Sequence, residues 1–140
     1  MNHAEEEVLA AAKNPVLVSA CDAALRTLND LCRSMKVGVF ATDDGFEVTR
    51  FPVSTDEDQR LTSMASSLQA LTEAVAHDRL IGQTEYTLIE AGGGRVLLRR
   101  VPGHPLVLLA VFGSEELPGQ AISNSRNVLA ELNGVLPRTL

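Results

Sequence analysis

The sequence is poor in aromatic residues: it has no tryptophan, one tyrosine and four phenylalanines, which together make up 4% of the chain. Pockets that bind small molecules are usually lined by aromatic and other apolar side chains around a few polar groups. The apolar residues here are mostly small or aliphatic. This composition favours a filled hydrophobic core over an internal ligand pocket.

Cysteine is scarce as well. Cys21 and Cys32 lie in what the periodicity predicts to be one helix, so they are about 16 Å apart along its axis and cannot form a disulfide with each other. Two small buried hydrophobes in a reducing compartment are the expected role. No further cysteine and no suitably spaced histidine completes a metal site, and we expect no metal or other cofactor.

Basic residues and long apolar runs are also few. The formal net charge of -6 counts against a general affinity for nucleic acid, which depends on clustered Lys and Arg. No uninterrupted apolar stretch approaches the roughly 20 residues of a membrane span. Met1 to Glu7 is acidic, whereas a signal peptide begins with basic residues. We therefore expect a cytoplasmic protein without membrane insertion or a nucleic-acid partner.

Motifs for catalysis are missing from the sequence. There is no GxxxxGK[ST] phosphate loop, and Gly92-Gly93-Gly94 separates two predicted strands rather than preceding a helix. Ser63, Ser66 and Ser67 lie in a predicted helix and have no GxSxG turn around them. His3, His77 and His104 lie at a terminus, a helix end and a turn, where we expect them to be exposed. The sequence therefore predicts a protein that is not an enzyme.

The element order can be predicted from periodicity and turn residues. A chain of 140 residues suits one domain, and we expect an N-terminal acidic extension at residues 1–13 followed by a single domain at 14–140. The predicted elements are a short helix ending at Lys13, a helix that begins at Asn14-Pro15, strands Val37–Thr42 and Phe46–Val53, a helix from Ser54 to about Ala76, strands Gln83–Ala91, Arg95–Val101 and Leu106–Phe112, and a helix from near Pro118 to Asn133.

Local signals support this order. Asp43-Asp44-Gly45 has the composition of a tight hairpin turn, and Ser54 with Glu57 forms a capping box. Leu106–Val111 is apolar at every position, which is typical of a central strand, whereas the glutamates in Gln83–Ala91 favour an edge. The predicted fold is α/β of the α+β type: a five-stranded antiparallel sheet with helices on both faces, in the order α-β-β-α-β-β-β-α.

The central helix has three distinct faces at about 100° per residue. Its apolar stripe, which we expect in the core, contains Leu61, Met64, Leu68, Leu71 and Val75. Its polar face contains Gln59, Thr62, Gln69 and Glu73. The third face is small and nearly uncharged and contains Ser63, Ser67, Ala70 and Ala74. A helix of a partner molecule can approach such a face closely, so these four residues are candidates for a dimer interface; an indifferent small surface is the alternative.

Two strands supply further candidates for binding. Leu88 and Ile89 lie in the predicted edge strand, and an unpaired edge favours pairing with another strand. Arg95, Arg99 and Arg100 form the most basic local feature of this acidic chain. Arg95 and Arg99 share one face of their strand and Arg100 points to the other. These arginines are either a docking patch for an acidic protein partner or a solvated edge.

The hairpin Val37–Val48 resembles the first hairpin of the roadblock/dynein light chain family, in which an apolar strand meets an Asp-Gly turn and a second strand. The helix Leu61–Val75, the meander that ends in Leu106–Val111 and the closing helix continue the resemblance. The resemblance implies a profilin-like fold and a homodimer in which central helices pack together and third strands join two sheets. Residues 1–13 are outside the usual family core.

The sequence leaves two candidate functions. The family resemblance implies a non-catalytic homodimeric regulator or scaffold of a Ras-like small GTPase, because bacterial relatives commonly have that role; no catalytic residue transfers. The alternative is a small-molecule-sensing module of PAS/GAF-like architecture, in which helices also connect a strand pair to three strands. Such a sensor needs a pocket with convergent polar or aromatic groups.

Overall fold

The structure is a computed structural model that describes residues 2–52 and 60–137. The predicted capping box at Ser54 and Glu57, together with Val53 and Gln59, lies outside the described residues. The elements are α1 (His3–Ala12), α2 (Pro15–Leu31), β1 (Met35–Thr42), β2 (Glu47–Phe51), α3 (Arg60–Asp78), β3 (Thr87–Ala91), β4 (Gly94–Arg100), β5 (Leu106–Gly113) and α4 (Pro118–Val135).

The strands form one five-stranded antiparallel sheet in the order β2-β1-β5-β4-β3. The predictions of a central β5 and of β3 at an edge are therefore confirmed. Gly92 and Gly93 form the predicted turn between β3 and β4. β3 begins at Thr87, four residues later than predicted, and residues 83–86 lie outside the sheet. Residues 83–86 instead line a cleft.

One face of the sheet is covered by α2 and α4. The Asn14 side chain caps α2 by accepting a hydrogen bond from the Val16 amide at 2.9 Å. The apolar stripe of α2 is buried as predicted, and it includes Leu17, Cys21, Leu25 and Leu28. Burial raises the pKa of Cys21 to about 12, so the thiol stays protonated and packs as a small hydrophobe.

The opposite face is covered by α3, and here the predicted orientation is wrong. Met64, Leu71 and Val75 belong to the stripe expected in the core, but they are 54%, 64% and 59% exposed. Leu61 and Leu68 are half-buried beside the sheet. The residues that α3 buries are small or polar: Thr62, Ala65, Ser66, Gln69 and Ala76.

The contacts under α3 explain its orientation. Ala65 is fully buried among apolar residues of β1, β4 and β5, and its small side chain lets the helix lie close to the sheet. The Ser66 hydroxyl donates to the Thr42 carbonyl oxygen at 2.7 Å. The Gln69 amide nitrogen donates to the Glu73 carboxylate at 2.9 Å. Because these buried polar groups have partners, their burial costs little.

Residues 2–52 and 60–137 contain no group of three or more His, Cys, Asp or Glu side chains arranged to hold a metal ion. In the same part of the chain, no single helix has the length and hydropathy of a membrane span. α1 and α2 reach those values only as a pair bent by 51°.

Candidate functional site

The solvent side of α3 exposes three large apolar side chains, Met64, Leu71 and Val75. We call it the outer α3 face, and its residues are Ser63, Met64, Ser67, Ala70, Leu71, Ala74 and Val75, all exposed. The small strip predicted from the sequence is thus accessible, and the apolar stripe expected in the core lies beside it. From Leu61 to His77, α3 has no exposed Lys, Arg, Asp or Glu.

Two more large apolar side chains are exposed just past the end of α3. Leu80 and Ile81 come after Arg79 and are 89% and 76% exposed. Single exposed hydrophobes are common on monomers, but a contiguous apolar patch usually marks an interaction site. The outer α3 face, where apolar and small residues lie along one side of a helix, is therefore a candidate interaction site.

The edge strand β3 provides a second surface. Among the described strands it pairs only with β4, so its other edge has free backbone donors and acceptors. Ile89 is 41% exposed on the face of the sheet that α3 covers elsewhere, and Leu88 packs against the α2 and α4 core. Sequence reasoning placed both residues on the edge strand, but only Ile89 is accessible to a partner's side chains.

The three predicted docking arginines do not form one patch. Arg95 donates to the Glu90 carboxylate at 2.8 Å, and its side chain is 20% exposed. On the other face of the sheet, Arg100 pairs with Asp43 at 3.0 Å and is 31% exposed. Arg99 is buried. The docking role of these residues stays a prediction. The alternative, a solvated edge, does not describe them either, because Arg99 is buried and the other two are paired with carboxylates.

Arg99 lies under α4 and is 8% exposed. Its Nε donates to the Ser125 hydroxyl at 3.2 Å and its Nη2 to the Ile122 carbonyl oxygen at 3.3 Å. The guanidinium carbon is 5.1 Å from the centre of the Tyr86 ring. Burial, and then the charge of Arg126, lower the pKa of Arg99, and Glu85 opposes them.

Arg99 also lines an open cleft of about 800 Å³ at the end of the sheet. The walls of the cleft are residues 83–86, the turn between β4 and β5, and the side of α4, together with Asp43 and Glu73. His104 lies in that turn and is 7% exposed, with its Nε2 2.9 Å from the Asn133 side-chain oxygen, so the expectation of an exposed histidine was wrong. The sequence did not predict this cleft, because residues 83–86 were assigned to β3.

No protein-family model matches the sequence, and no curated protein sequence matches it. Solved structures do match. The Roadblock/LC7 domain from Streptomyces avermitilis has a TM-score of 0.69 at 14% identity, and the match covers 76% of this chain and 89% of that chain. For Myxococcus xanthus MglB the TM-score is 0.68 at 18% identity, over 85% and 93%. An MglB structure with a tetrameric arrangement gives 0.66 at 15% identity, over 83% and 89%.

The chain therefore has the roadblock/LC7 fold, and the resemblance predicted from the sequence is confirmed. The matches cover most of both chains, so the likeness extends well beyond one motif. At 14 to 18% identity the likeness shows the fold alone.

Proposed function

We propose that the protein is a non-catalytic, cytoplasmic homodimer that regulates or scaffolds a Ras-like small GTPase through its surfaces. The observation that carries the proposal is the outer α3 face, where apolar and small residues are exposed side by side. The role itself comes from the roadblock resemblance, which implies regulation or scaffolding of such GTPases.

The composition of the outer α3 face supports pairing with a second copy of itself. Ala70 and Ala74 allow two helix backbones to come close, and Leu71 and Val75 beside them supply apolar surface to bury. A symmetric dimer places the same patch on both subunits, so an uncharged, self-complementary face suits it. The free edge of β3 suits the joining of two sheets.

An Ala70→Glu variant tests the dimer. In a helix pair across a symmetry axis, the introduced carboxylate faces its own copy in a desolvated contact, which strongly disfavours association. We expect light scattering at micromolar concentration to give twice the 15.0 kDa chain mass for the unaltered protein and a monomer for the variant. Circular dichroism should be the same for both.

Ala23→Glu is the matched control, because Ala23 is an exposed helical alanine on α2. It should leave the dimer intact. Two results would exclude the outer α3 face as the interface. One is a monomer mass for the unaltered protein, and the other is a dimer mass for Ala70→Glu.

The GTPase role requires a separate measurement. The protein should co-elute with a purified Ras-like GTPase from the same organism in one of its nucleotide states, or change the rate of phosphate release from GTP. Ala70→Glu should weaken any contact that spans both subunits. Absence of binding and of a rate change with every such GTPase would reject the role while leaving the dimer untouched.

The alternative of a small-molecule-sensing module has one observation in its favour, which is the cleft beside Arg99. It lies at the end of the sheet, outside the two hydrophobic layers, whereas the sensor architecture places its pocket inside. A ligand site there is compatible with either function.

A further inference from the structure

Arg99 lacks the partner that a buried arginine usually has. Its two hydrogen bonds go to neutral oxygen atoms of Ser125 and Ile122, and no carboxylate of the described residues is within ion-pair distance. By contrast, Arg95 and Arg100 contact carboxylates at 2.8 and 3.0 Å. A buried charge without a counter-ion is costly, so this site would gain from binding an anion.

Arg99 has donors without a partner, and the residue borders the cleft. A guanidinium has five N–H donors, and Nη1 donates to no group in the part of the chain that the structure describes. No fully buried side-chain nitrogen there is without a partner, so Nη1 keeps some exposure. Arg99 lines the cleft, so an acceptor bound there would be near this donor.

A second cation lies on the same wall. Arg126 is exposed on α4, lines the cleft and is close enough to Arg99 to lower its pKa. No ion pair or hydrogen bond joins Arg126 to another described residue. Arg100 also lines the cleft but already pairs with Asp43. Of the two other carboxylates in the lining, Glu73 accepts hydrogen bonds from Gln69 and Thr84, and Glu85 raises the pKa of Arg99 against the effect of Arg126.

The remainder of the cleft is suited to an organic molecule. Ile122, Leu129, Pro102 and Pro105 give it apolar lining next to the arginines. Its volume of about 800 Å³ falls within the range of roughly 300 to 1,000 Å³ that is usual for small-molecule sites. An anionic group and an apolar body would therefore both find contacts.

We propose that this cleft binds a small organic anion whose carboxylate or phosphate group lies between Arg99 and Arg126. Both groups accept paired hydrogen bonds from a guanidinium, and such charge-assisted bonds are strong in a partly buried site. The apolar body of the ligand packs against α4 and the turn between β4 and β5. The proposal does not depend on dimerisation or on a GTPase.

Tyr86 offers a direct measurement. It is the one tyrosine of a chain without tryptophan, and its ring stacks on Arg99, so intrinsic tyrosine fluorescence reports on this site. The full chain would be titrated at constant ionic strength with hexanoate and with hexyl phosphate, and with 1-hexanol as the uncharged probe. We expect a saturable change with one or both anions and none with the alcohol, and the stronger anion distinguishes carboxylate from phosphate.

Arg126→Gln should weaken the binding of the anion about tenfold, because one charge-assisted contact is lost. Arg126 is exposed on its helix, so the variant should fold normally. Arg33→Gln removes an equal charge from an exposed position away from the cleft and should bind like the unaltered protein. Titrations that never saturate, or equal affinity for the unaltered protein and Arg126→Gln, would overturn the proposal.

A blocked peptide of four glutamates separates a metabolite from a protein segment. If the peptide binds in an Arg126-dependent way and neither small anion does, the cleft accepts an acidic side chain of a protein partner and the small-molecule proposal is wrong. If the small anions bind and the peptide does not, the proposal is supported.

Discussion

The helices on the two faces of the sheet use the same kind of residue pattern in opposite ways. α2 turns its apolar stripe inward, and Leu25 and Leu28 are fully buried. α3 has a comparable stripe but turns it outward, and Leu71 and Val75 remain 64% and 59% exposed. An apolar stripe at helical spacing therefore does not by itself indicate which face of a helix lies against the sheet.

The face opposite the apolar stripe also differs between the two helices. The residues opposite the stripe of α2 include the ion pair of Asp22 and Arg26 at 2.9 Å, a typical solvated arrangement. The residues opposite the stripe of α3 are Thr62, Ser66 and Gln69, which are buried. They are uncharged and short enough to find partners beneath a helix, so a face of small polar residues without charge can be the buried one.

The largest effect on folding should come from the inward stripe of α2. Leu25→Ala removes a fully buried side chain and should lower the free energy of unfolding by about 2 to 5 kcal/mol, through lost transfer energy and the cavity left behind. Urea denaturation followed by circular dichroism measures it. Leu31→Ala is the control on the same helix, since Leu31 is 51% exposed, and it should change stability by less than about 0.5 kcal/mol. Similar losses for the two variants would contradict the assigned burial.

A smaller effect is expected from enlarging a residue beneath α3. Ala65 is fully buried against Val39 and Leu98, so Ala65→Leu should overpack the layer and cost roughly 1 to 3 kcal/mol. Ala23→Leu adds the same side chain at an exposed position of α2 and should have little effect. If Ala65→Leu stabilised the protein, α3 would instead have its apolar stripe facing the sheet.

Much of this fold could be predicted from the sequence because its signals are local. The turn at Asp43-Asp44-Gly45, the cap at Asn14 and the uninterrupted apolar run of β5 each depend on neighbouring residues and the general rules for strands and caps. The five-stranded sheet, its antiparallel pairing and the positions of β5 and β3 were all predicted and are confirmed.

The candidate sites were harder to predict because they depend on contacts between distant residues. Which way α3 faces is decided by how closely Ala65 approaches the sheet and by the hydrogen bond from Ser66 to Thr42, 24 positions earlier. The cleft depends on residues 83–86 leaving the sheet to meet Arg99 and α4. One available signal was the absence of charge along the small strip of α3, which pointed to a face that the structure leaves exposed, although the neighbouring apolar stripe was misplaced.

The smallest effect on the fold itself should come from the outward stripe, where the proposed dimer makes a different prediction. Leu71 is 64% exposed, so Leu71→Ser should change the stability of the monomer by less than about 0.5 kcal/mol. A dimer that dissociates on unfolding has a melting temperature that rises with protein concentration, because association favours the folded state by mass action. We therefore expect the melting temperature of the unaltered chain to rise across a hundredfold concentration range, and that of Leu71→Ser to stay nearly constant. Leu31→Ser, at an exposed position of α2, should keep the rise. If the melting temperature of Leu71→Ser rose with concentration as much as that of Leu31→Ser, the exposed stripe of α3 would have no part in self-association.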